Sequence, residues 1–275
     1  MHTGSPYRSA CNASRALRLS ARILVFVLAC ALGDVTRHSA VAQTADPAAF
    51  LAGRIKDCPG CNLAGASFKR RNLAGVNLAG ANLAGASFHR AVLRGANFAG
   101  ADLTGANLNK TDLIQADFSN AKMANAMLFE ADASRANFSR ANLTEALMGS
   151  IRLLGGKLDQ AILTEADLEA ALLNEASFAK ATLNGANLHQ VRMLRVNLRG
   201  AVANSAEFTQ ANLRDANLAD AQLGESIFYL ADLGGADLSG ANLNHAILRS
   251  SNMGDVKLDG AVLTGTMMPD NSIHP

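Results

Sequence analysis

Two cysteines separated by two residues, in the segment Cys58-Pro59-Gly60-Cys61, are the side chains of this sequence best placed for chemistry. Thiols at this spacing form a disulfide in an oxidising compartment, ligate a metal or carry out redox chemistry. A tetrahedral metal site needs two further ligands, and no other cysteine follows residue 42. We therefore predict that Cys58 and Cys61 form a disulfide or cap the core, with a thiol redox protein as the alternative.

The other titratable side chains do not converge as those of an active site do. The three histidines within residues 61–270, His89, His189 and His245, are at least 56 residues apart. The sequence contains no nucleophile elbow, phosphate-binding loop or HExxH motif. It thus predicts a protein that is not an enzyme, with no catalytic residue, no cofactor and no metal.

Residues 1–42 have the pattern of a secretory signal. Residues 1–22 contain arginine without any acidic residue, residues 23–32 form an apolar run of ten, and Ala40-Val41-Ala42 offers a cleavage site. Ten apolar residues are too few to span a bilayer. We predict a signal peptide over 1–42 and a periplasmic or secreted protein. The alternative is a membrane-anchored lipoprotein lipidated at Cys30, although Leu28 fits that signal poorly.

The charge of the chain is too mild for a protein that binds nucleic acid through its overall field. The formal net charge is +2, and the part after residue 42 carries 20 basic and 22 acidic residues. Nucleic-acid binders concentrate basic charge, and acidic mimics of nucleic acid concentrate acidic charge. We therefore expect an unknown protein or an envelope polymer as the partner rather than nucleic acid.

An apolar residue stands at every fifth position from Leu63 to Met268, and it is large everywhere except at Ala133 and Ala203. A smaller residue, usually alanine, stands two positions before it. A helix advances about 100° per residue, so a five-residue period would wind this stripe around the helix. A flat strand fails because five is odd and side chains alternate with a period of two. The chain must turn once in every repeat, which predicts a coil of short strands with the large apolar residues inside.

The repeat unit Ala-(Asn/Asp)-Leu-x-x resembles that of the pentapeptide-repeat family over residues 61–270. The resemblance implies an all-β fold, a right-handed quadrilateral β-helix with four repeats in each coil. It also implies about ten and a half coils and a rod on the order of 50 Å long, at about 4.8 Å per coil. The resemblance says little about function, because one fold hosts many functions.

The segments outside the repeats are predicted to cover the ends of this solenoid. Residues 43–60 form the amino-terminal cap, in which Asp46-Pro47 begins a short helix that runs through Lys56. The side chains available to cover the first coil are Phe50, Leu51 and Ile55. Residues 271–275 form a short tail.

Three departures from the repeat are informative. Arg71 occupies an inward position near the amino-terminal end, where the coil is expected to be open. Ile151 and Gly156 disturb the pattern in one stretch and predict a local bulge.

One inward column of the twenty-residue period carries Phe98, Phe118 and Phe138, and Phe178 rejoins it. These rings are expected to stack in the core.

One face of the solenoid is predicted as an interaction surface, because side chains twenty residues apart share a column. Its basic strip comprises Lys69, Arg70, His89, Arg90 and Lys110, and its apolar residues include Phe129, Tyr229 and Leu230. A basic strip suits an anionic polymer or a lipid surface, and exposed apolar side chains suit a protein partner. A solvated edge is the alternative for the strip, and corners turned inward are the alternative for the apolar residues.

These features together predict an exported, non-catalytic structural or binding solenoid that presents flat faces to a protein or envelope partner. The family resemblance suggests a second possibility, a DNA-mimicking modulator of the topoisomerase gyrase. A second face does carry Asp102, Glu145, Glu165 and Glu225 against Lys122. The near-neutral charge and the predicted export argue against this possibility.

Overall fold

The structure is a computed structural model, and it describes residues 46–275. The predicted signal peptide, its cleavage site and Cys30 lie outside the described residues. In residues 46–275, no helix has the length and apolar character needed to cross a membrane.

The chain from Asn62 to Met267 forms a stack of coils linked by parallel bridges between residues twenty positions apart. The first bridge joins Asn62 to Asn82, and the last parallel bridge joins Ile247 to Met267. Each is a single-residue bridge, and residues 46–275 contain no longer strand. Twenty residues are four repeats, so each coil has four sides, as the resemblance implies.

The coils and faces are numbered in chain order, and the five positions of a repeat are named by their direction. Coil 1 comprises residues 61–80 and coil 10 comprises residues 241–260, and faces 1 to 4 begin in coil 1 at residues 61, 66, 71 and 76. Within a repeat, the five positions are the small inward, ladder, large inward, first corner and second corner positions. In the first repeat these are residues 61 to 65 in order.

Backbone hydrogen bonds join each coil to the next and close each corner. The N–H of Leu63 donates to the carbonyl of Asn82 at 2.7 Å, and the N–H of Asn82 donates to the carbonyl of Cys61 at 2.8 Å. The N–H of Ala66 donates to the carbonyl of Leu63 at 3.1 Å across the corner between them. The same pattern recurs along the stack, so each coil is held mainly by its immediate neighbours.

The second corner residue of each repeat has a left-handed backbone. The angle φ is 67° at Gly65, and it is also positive at residues with side chains, such as 58° at Arg70 and 57° at Leu230. A positive φ at the third residue of a hydrogen-bonded turn is the geometry of a type II turn. Glycine adopts it without cost, whereas other residues there carry a strain of roughly 1 kcal/mol.

The core is a continuous column of small and large apolar side chains that are almost completely buried. The predicted ring stack is confirmed, with ring centroids 4.9 Å apart for Phe98 and Phe118 and 4.8 Å apart for Phe118 and Phe138. Phe178 is buried in the same column, with Leu158 between it and Phe138. Each ring therefore packs on the side chain of the adjacent coil, at close to the coil spacing.

The predicted bulge near Gly156 is wrong. The parallel bridges from Arg152 to Leu172 and from Lys157 to Ser177 continue without interruption. A Cβ atom added to Gly156 would lie 1.7 Å from Cδ2 of Leu153, so the Leu153 side chain occupies the space that alanine fills in other repeats. The lost methyl group is replaced from within the same coil, and the backbone has no reason to distort.

The amino-terminal cap contains one helix, α1, from Pro47 to Leu51. The predicted start is confirmed, because the Asp46 side chain accepts hydrogen bonds from the N–H groups of Ala48 and Ala49 at 2.9 and 3.0 Å. The predicted end at Lys56 is wrong. The helix stops before Gly53, where φ is 71°, a conformation that ends a helix.

Only one of the three predicted capping side chains covers the core. Phe50 is 1% exposed and its ring centroid lies 5.7 Å from that of Phe68, whereas Leu51 and Ile55 are 45% and 37% exposed. Arg71 fastens the cap: its Nη1 donates to the carbonyl of Leu51 at 3.4 Å, and its guanidinium lies 5.7 Å from the Phe68 centroid. The large polar side chain at an inward position thus binds the cap instead of opening the coil.

The carboxy-terminal residues fold back onto the last repeat. Ile273 forms an antiparallel bridge with Met267, and the N–H of Met268 donates to the carbonyl of Ser272 at 2.8 Å. This short hairpin gives the predicted tail a defined position on the edge of face 2.

Candidate binding face

Asparagine or aspartate at the ladder position satisfies the one N–H group that the coils leave free. In the repeat of Asn97, the side-chain Oδ1 accepts the N–H of Ala99 at 3.0 Å, and Asp117 does the same for Ser119 at 2.9 Å. Each of these residues bonds to the first corner of its own repeat, as in an Asx turn. The preference of the repeat for asparagine and aspartate therefore has a local backbone cause.

A second arrangement replaces this bond where the ladder residue has no suitable oxygen. Met127 cannot accept, and the N–H of Phe129 instead donates to Oδ1 of Asn109, twenty residues earlier, at 2.8 Å. In the same way, Oδ1 of Asn184 accepts the N–H of Asn204 at 3.0 Å, and Oδ1 of Asn204 accepts the N–H of Gly224 at 3.0 Å. An asparagine or aspartate at the first corner of the preceding coil is the sequence signal for this second arrangement. The predictions from the sequence did not include it.

Face 2 loses both arrangements near its carboxy-terminal end. Its ladder residues there are Glu207, Ile227 and Ile247, and within residues 46–275 no acceptor bonds to the first corner N–H groups of Thr209, Tyr229 and Arg249. This is the longest run of such open N–H groups in the described coils. Three backbone donors on successive coils are thus left for solvent or for another molecule.

The apolar platform is the part of face 2 in coils 9 and 10 that surrounds these donors, and it comprises Ile227, Tyr229, Leu230, Ile247 and Arg249. Tyr229 and Leu230 are 37% and 44% exposed, and the two isoleucines are half-buried. The guanidinium of Arg249 lies 5.7 Å from the Tyr229 ring centroid, within cation–π range. The platform combines apolar area, a cation and backbone donors.

The predicted basic strip lies in coils 1 to 3 of the same face. Arg70, Arg90 and Lys110 are exposed at second corners, Lys69 is exposed at a first corner, and His89 is half-buried. The Nζ of Lys110 lies 3.2 Å from Oε2 of Glu130. Glu130 is the next residue of the same column, so the basic strip ends there. The structure therefore places all five residues on one edge, with Lys69, Arg70, Arg90 and Lys110 exposed.

Phe129 stands between the basic strip and the apolar platform, five coils before Tyr229. It is 43% exposed, and its neighbour Leu147 is 50% exposed. Beside it is a shallow cavity of about 230 Å³, lined by Phe129, Gly149, Ser150, Asp167, Glu169 and Ala170. The sequence indicates Phe129 but not the cavity, because Gly149 and Ala170 are ordinary corner residues until the four-sided register is known.

The acidic residues of face 1 are spread out along the rod. Glu145 and Glu165 occupy second corners of adjacent coils, whereas Asp102 lies two coils before Glu145 and Glu225 lies three coils after Glu165. Hydrogen bonds from the hydroxyl and N–H of Thr104 lower the pKa of Asp102, and the charge of Lys122 adds to this effect. These carboxylates do not form one concentrated acidic patch.

The structure joins Cys58 and Cys61 in a disulfide with a Cα–Cα distance of 5.5 Å. Cys58 is 0% exposed and Cys61 is 3% exposed, and both belong to the apolar core at its amino-terminal end. A thiol or disulfide acting as a redox centre needs access to its substrate. The burial of both sulfur atoms fits a capping crosslink better than a redox centre.

Across residues 46–275, no group of three or more histidine, cysteine or acidic side chains is placed to hold a metal ion. His89 and His189 share a column on face 2 but lie five coils apart. His245 is on face 1. The three histidines therefore do not meet.

Solved structures similar to this chain share its repeats. HetL from the cyanobacterium Nostoc sp. strain PCC 7120, a pentapeptide repeat protein involved in heterocyst differentiation regulation, is 27% identical, with 82% of this chain and 97% of that chain covered and a TM-score of 0.43. A pentapeptide repeat protein from the Arabidopsis thaliana thylakoid lumen is 31% identical, with 37% of this chain and 71% of that chain covered and a TM-score of 0.29. QnrB1, a plasmid-mediated fluoroquinolone resistance protein, is 19% identical, with 74% and 90% covered and a TM-score of 0.30.

The sequence matches no curated protein. It does match a family model, that of pentapeptide repeats, in 8 copies. The matched residues are 61–98, 72–109, 96–132, 106–144, 161–200, 192–228 and 226–265. These matches cover more than half of the chain and coincide with the stacked coils, so the chain belongs to the pentapeptide-repeat family.

Proposed function

We propose that this protein is an exported, non-catalytic binding solenoid, a right-handed β-helix whose apolar platform on face 2 binds a protein partner. The partner segment is both apolar and acidic. The observation that carries this proposal is Leu230, a large apolar side chain held on the surface in a backbone conformation that disfavours it.

Leu230 has two features that folding alone does not favour. Its φ of 57° is in the left-handed region, and its side chain is 44% exposed. Most residues at this corner share the left-handed backbone and are glycine, polar or small, as at Gly65, Arg70 and Glu130. Leu230 is the one large apolar residue at the second corners from residue 65 to residue 265. A residue that costs strain and leaves apolar area in water is expected at a site where another molecule covers it.

The donors of the platform define the chemistry of the partner. Open N–H groups at Thr209, Tyr229 and Arg249 lie on successive coils, about 4.8 Å apart. They suit carbonyl or carboxylate oxygens of a segment that lies along the rod. The Arg249 guanidinium adds a positive charge next to the Tyr229 ring, which favours an acidic side chain in the partner.

The proposed export rests on the pattern of residues 1–42, in which a basic segment without acidic residues precedes ten apolar residues and an Ala-x-Ala site. An oxidising compartment also suits the disulfide of Cys58 and Cys61. Cell fractionation tests the export. Recovery of the protein only from the cytoplasm, with residues 1–42 retained, would contradict it.

Affinity capture from an envelope fraction tests the binding function, with the tagged full chain as bait. We expect one or more proteins to be retained by the unchanged chain and lost with Tyr229→Ala or Leu230→Gly. Ile162→Ala is the matched control, since Ile162 is a 42% exposed apolar residue on face 1. A set of captured proteins that is the same for all four baits would contradict a role for the platform.

A further inference from the structure

Face 2 has a charge and shape pattern that is complementary to itself. Coils 1 to 3 carry the basic strip, coils 4 and 5 carry Met127, Phe129 and Leu147 beside Glu130, and coils 6 and 8 carry further carboxylates. The carboxylates belong to Asp167, Glu169 and Glu207, which are half-buried or exposed. We propose that two copies of this chain pack face 2 against face 2 in antiparallel orientation, related by a two-fold axis between coils 4 and 5.

The symmetry fixes which residues meet. The axis lies in the interface plane and runs across the rod, so it reverses the order of the coils but keeps each column on its own edge. Coil 4 of one copy faces coil 5 of the other, coil 3 faces coil 6, and coil 1 faces coil 8. Every contact occurs twice.

The apolar residues meet at the axis. Met127 faces Leu147 of the partner subunit, and Phe129 faces Gly149 of the partner subunit. A Cβ atom added to Gly149 would lie 3.4 Å from Cδ2 of Phe129 in the same chain, so the ring already lies against the Gly149 backbone. Across the axis, the two Phe129 rings are expected to pack side by side at the centre.

The charges meet on both sides of the axis. Lys110 in coil 3, which lies 3.2 Å from Glu130 in its own chain, faces the coil 6 side of the partner subunit's cavity, formed by Asp167, Glu169 and Ala170. The small residues Gly149 and Ala170 leave the volume that a lysine side chain needs, and the two carboxylates supply its counter-charge. At the ends, Lys69 and Arg70 face Glu207 of the partner subunit, so opposite charges meet where coil 3 faces coil 6 and where coil 1 faces coil 8. Between them, Arg90 in coil 2 faces the uncharged Gln190 of the partner subunit.

The size of this interface predicts a weak dimer. Eight overlapping coils are about 38 Å long, and a face of three extended residues and a corner is roughly 12 Å wide. The buried area is therefore on the order of 900 Å² in total, at the low end for specific interfaces. We expect a dissociation constant in the micromolar range. The apolar platform lies in coils 9 and 10, beyond the overlap, and of the groups in the proposed function only the Thr209 N–H, in coil 8, lies within it. Tyr229 and Leu230 variants therefore test the proposed function separately from the dimer.

Sedimentation analysis of the full chain between about 1 and 200 µM tests the dimer. We expect the unchanged chain to be dimeric at the upper concentrations. Phe129→Ala, Lys110→Glu and Glu169→Lys are each expected to weaken the dimer at least about tenfold, through loss of apolar contact or through like-charge repulsion. Lys180→Glu is the matched control, an exposed second corner residue on face 4, and it should leave the dimer unchanged.

The charge swap is the decisive variant. Lys110→Glu combined with Glu169→Lys is expected to restore the affinity to within about fivefold of the unchanged chain. Within one chain these two residues lie three coils, or about 14 Å, apart, so the restored attraction can only act between chains. Circular dichroism of each variant separates loss of association from loss of folding.

Four results would overturn the proposal. The first is a monomer at 200 µM, and the second is a dimer that the charge-reversed variants do not weaken. The third is a swapped double variant that remains as weak as the single variants. Capture of an unrelated protein by Phe129 from a chain that stays monomeric also counts against it. A failed capture through Tyr229 and Leu230 would leave this inference intact.

Discussion

Asn109 in coil 3 and Phe129 in the adjacent coil 4 are joined by a hydrogen bond, in which Oδ1 of Asn109 accepts the N–H of Phe129 at 2.8 Å. In many other repeats the ladder residue accepts this N–H within its own repeat, as Asn97 does for Ala99, and Met127 cannot. We predict that Asn109→Leu leaves the Phe129 N–H without an acceptor and destabilises coils 3 to 5 by about 1 kcal/mol. Hydrogen exchange of the Phe129 amide and the thermal midpoint measure the effect.

The control for this prediction is the double variant Asn109→Leu with Met127→Asn. Asparagine at residue 127 restores the acceptor from within the repeat, as Asn97 does for Ala99 at 3.0 Å. We expect the double variant to regain most of the lost stability, which a double-mutant cycle quantifies. Equal stability losses in the presence and absence of Met127→Asn would show that the hydrogen bond is not the cause.

Leu230 and Gly65 occupy equivalent second corners, with φ of 57° and 67°. We predict that Leu230→Gly raises the free energy of unfolding by about 0.5 to 1 kcal/mol, because glycine removes the left-handed strain. Gly65→Leu should lower it by a similar amount, since no atom lies within 4 Å of an added Cβ and only the backbone angle opposes the change. Chemical denaturation measures both. A loss of stability in Leu230→Gly would mean that the side chain packs usefully in the isolated chain.

Removal of the Cys58–Cys61 disulfide is predicted to loosen only the amino-terminal end. A crosslink that closes a loop of four residues contributes about 2 kcal/mol in the chain-entropy description. We expect Cys58→Ser to increase hydrogen exchange in α1 and coil 1 and to leave coils 4 to 8 unchanged, because coils contact only their neighbours. Both sulfur atoms are buried, so neither form should reduce insulin. Insulin reduction by the unchanged chain, lost in Cys58→Ser, would instead favour the thiol redox alternative.

Asp102 gives the fold a defined dependence on acid. Hydrogen bonds from Thr104 lower its pKa below the ordinary value of 3.8. Its stabilisation is therefore fully present above that value and is lost as the pH falls through the folded-state pKa. Asp102→Asn keeps an acceptor for the Thr104 N–H but does not titrate. We predict that the difference in thermal midpoint between pH 7 and pH 2.5 is smaller in this variant, whereas an unchanged difference would remove Asp102 as a contributor.

The sequence predicted the inward columns correctly because their cause is local. A period of five, with alanine two residues before each large apolar residue, excludes a helix and a flat strand by side-chain direction alone. It therefore forces one corner in each repeat. The ring stack from Phe98 to Phe138 followed from that period once four repeats were assigned to each coil, a number that came from the family resemblance.

Two predictions from the sequence were wrong, the bulge near Gly156 and the end of α1 at Lys56. Gly156 suggested a bulge, but the Leu153 side chain fills the missing volume. The helix α1 was expected to reach Lys56, but it ends at Leu51, whose carbonyl accepts a hydrogen bond from Arg71 twenty residues later. The first outcome depends on the rotamer of the Leu153 side chain, which composition and spacing do not specify. The second follows from the left-handed backbone at Gly53, a helix-ending signal that the predicted end at Lys56 overlooked.

By itself, the sequence determined the repeat, the buried columns, the acidic start of the cap and the near-neutral surface, because each depends on residue type and on spacing within a few positions. Only the tertiary structure decided that Asn109 serves Phe129, that Phe129 lies over Gly149 and that three N–H groups of face 2 remain open. These relationships join residues twenty positions apart. They exist only after four corners have closed a coil and set one repeat above another.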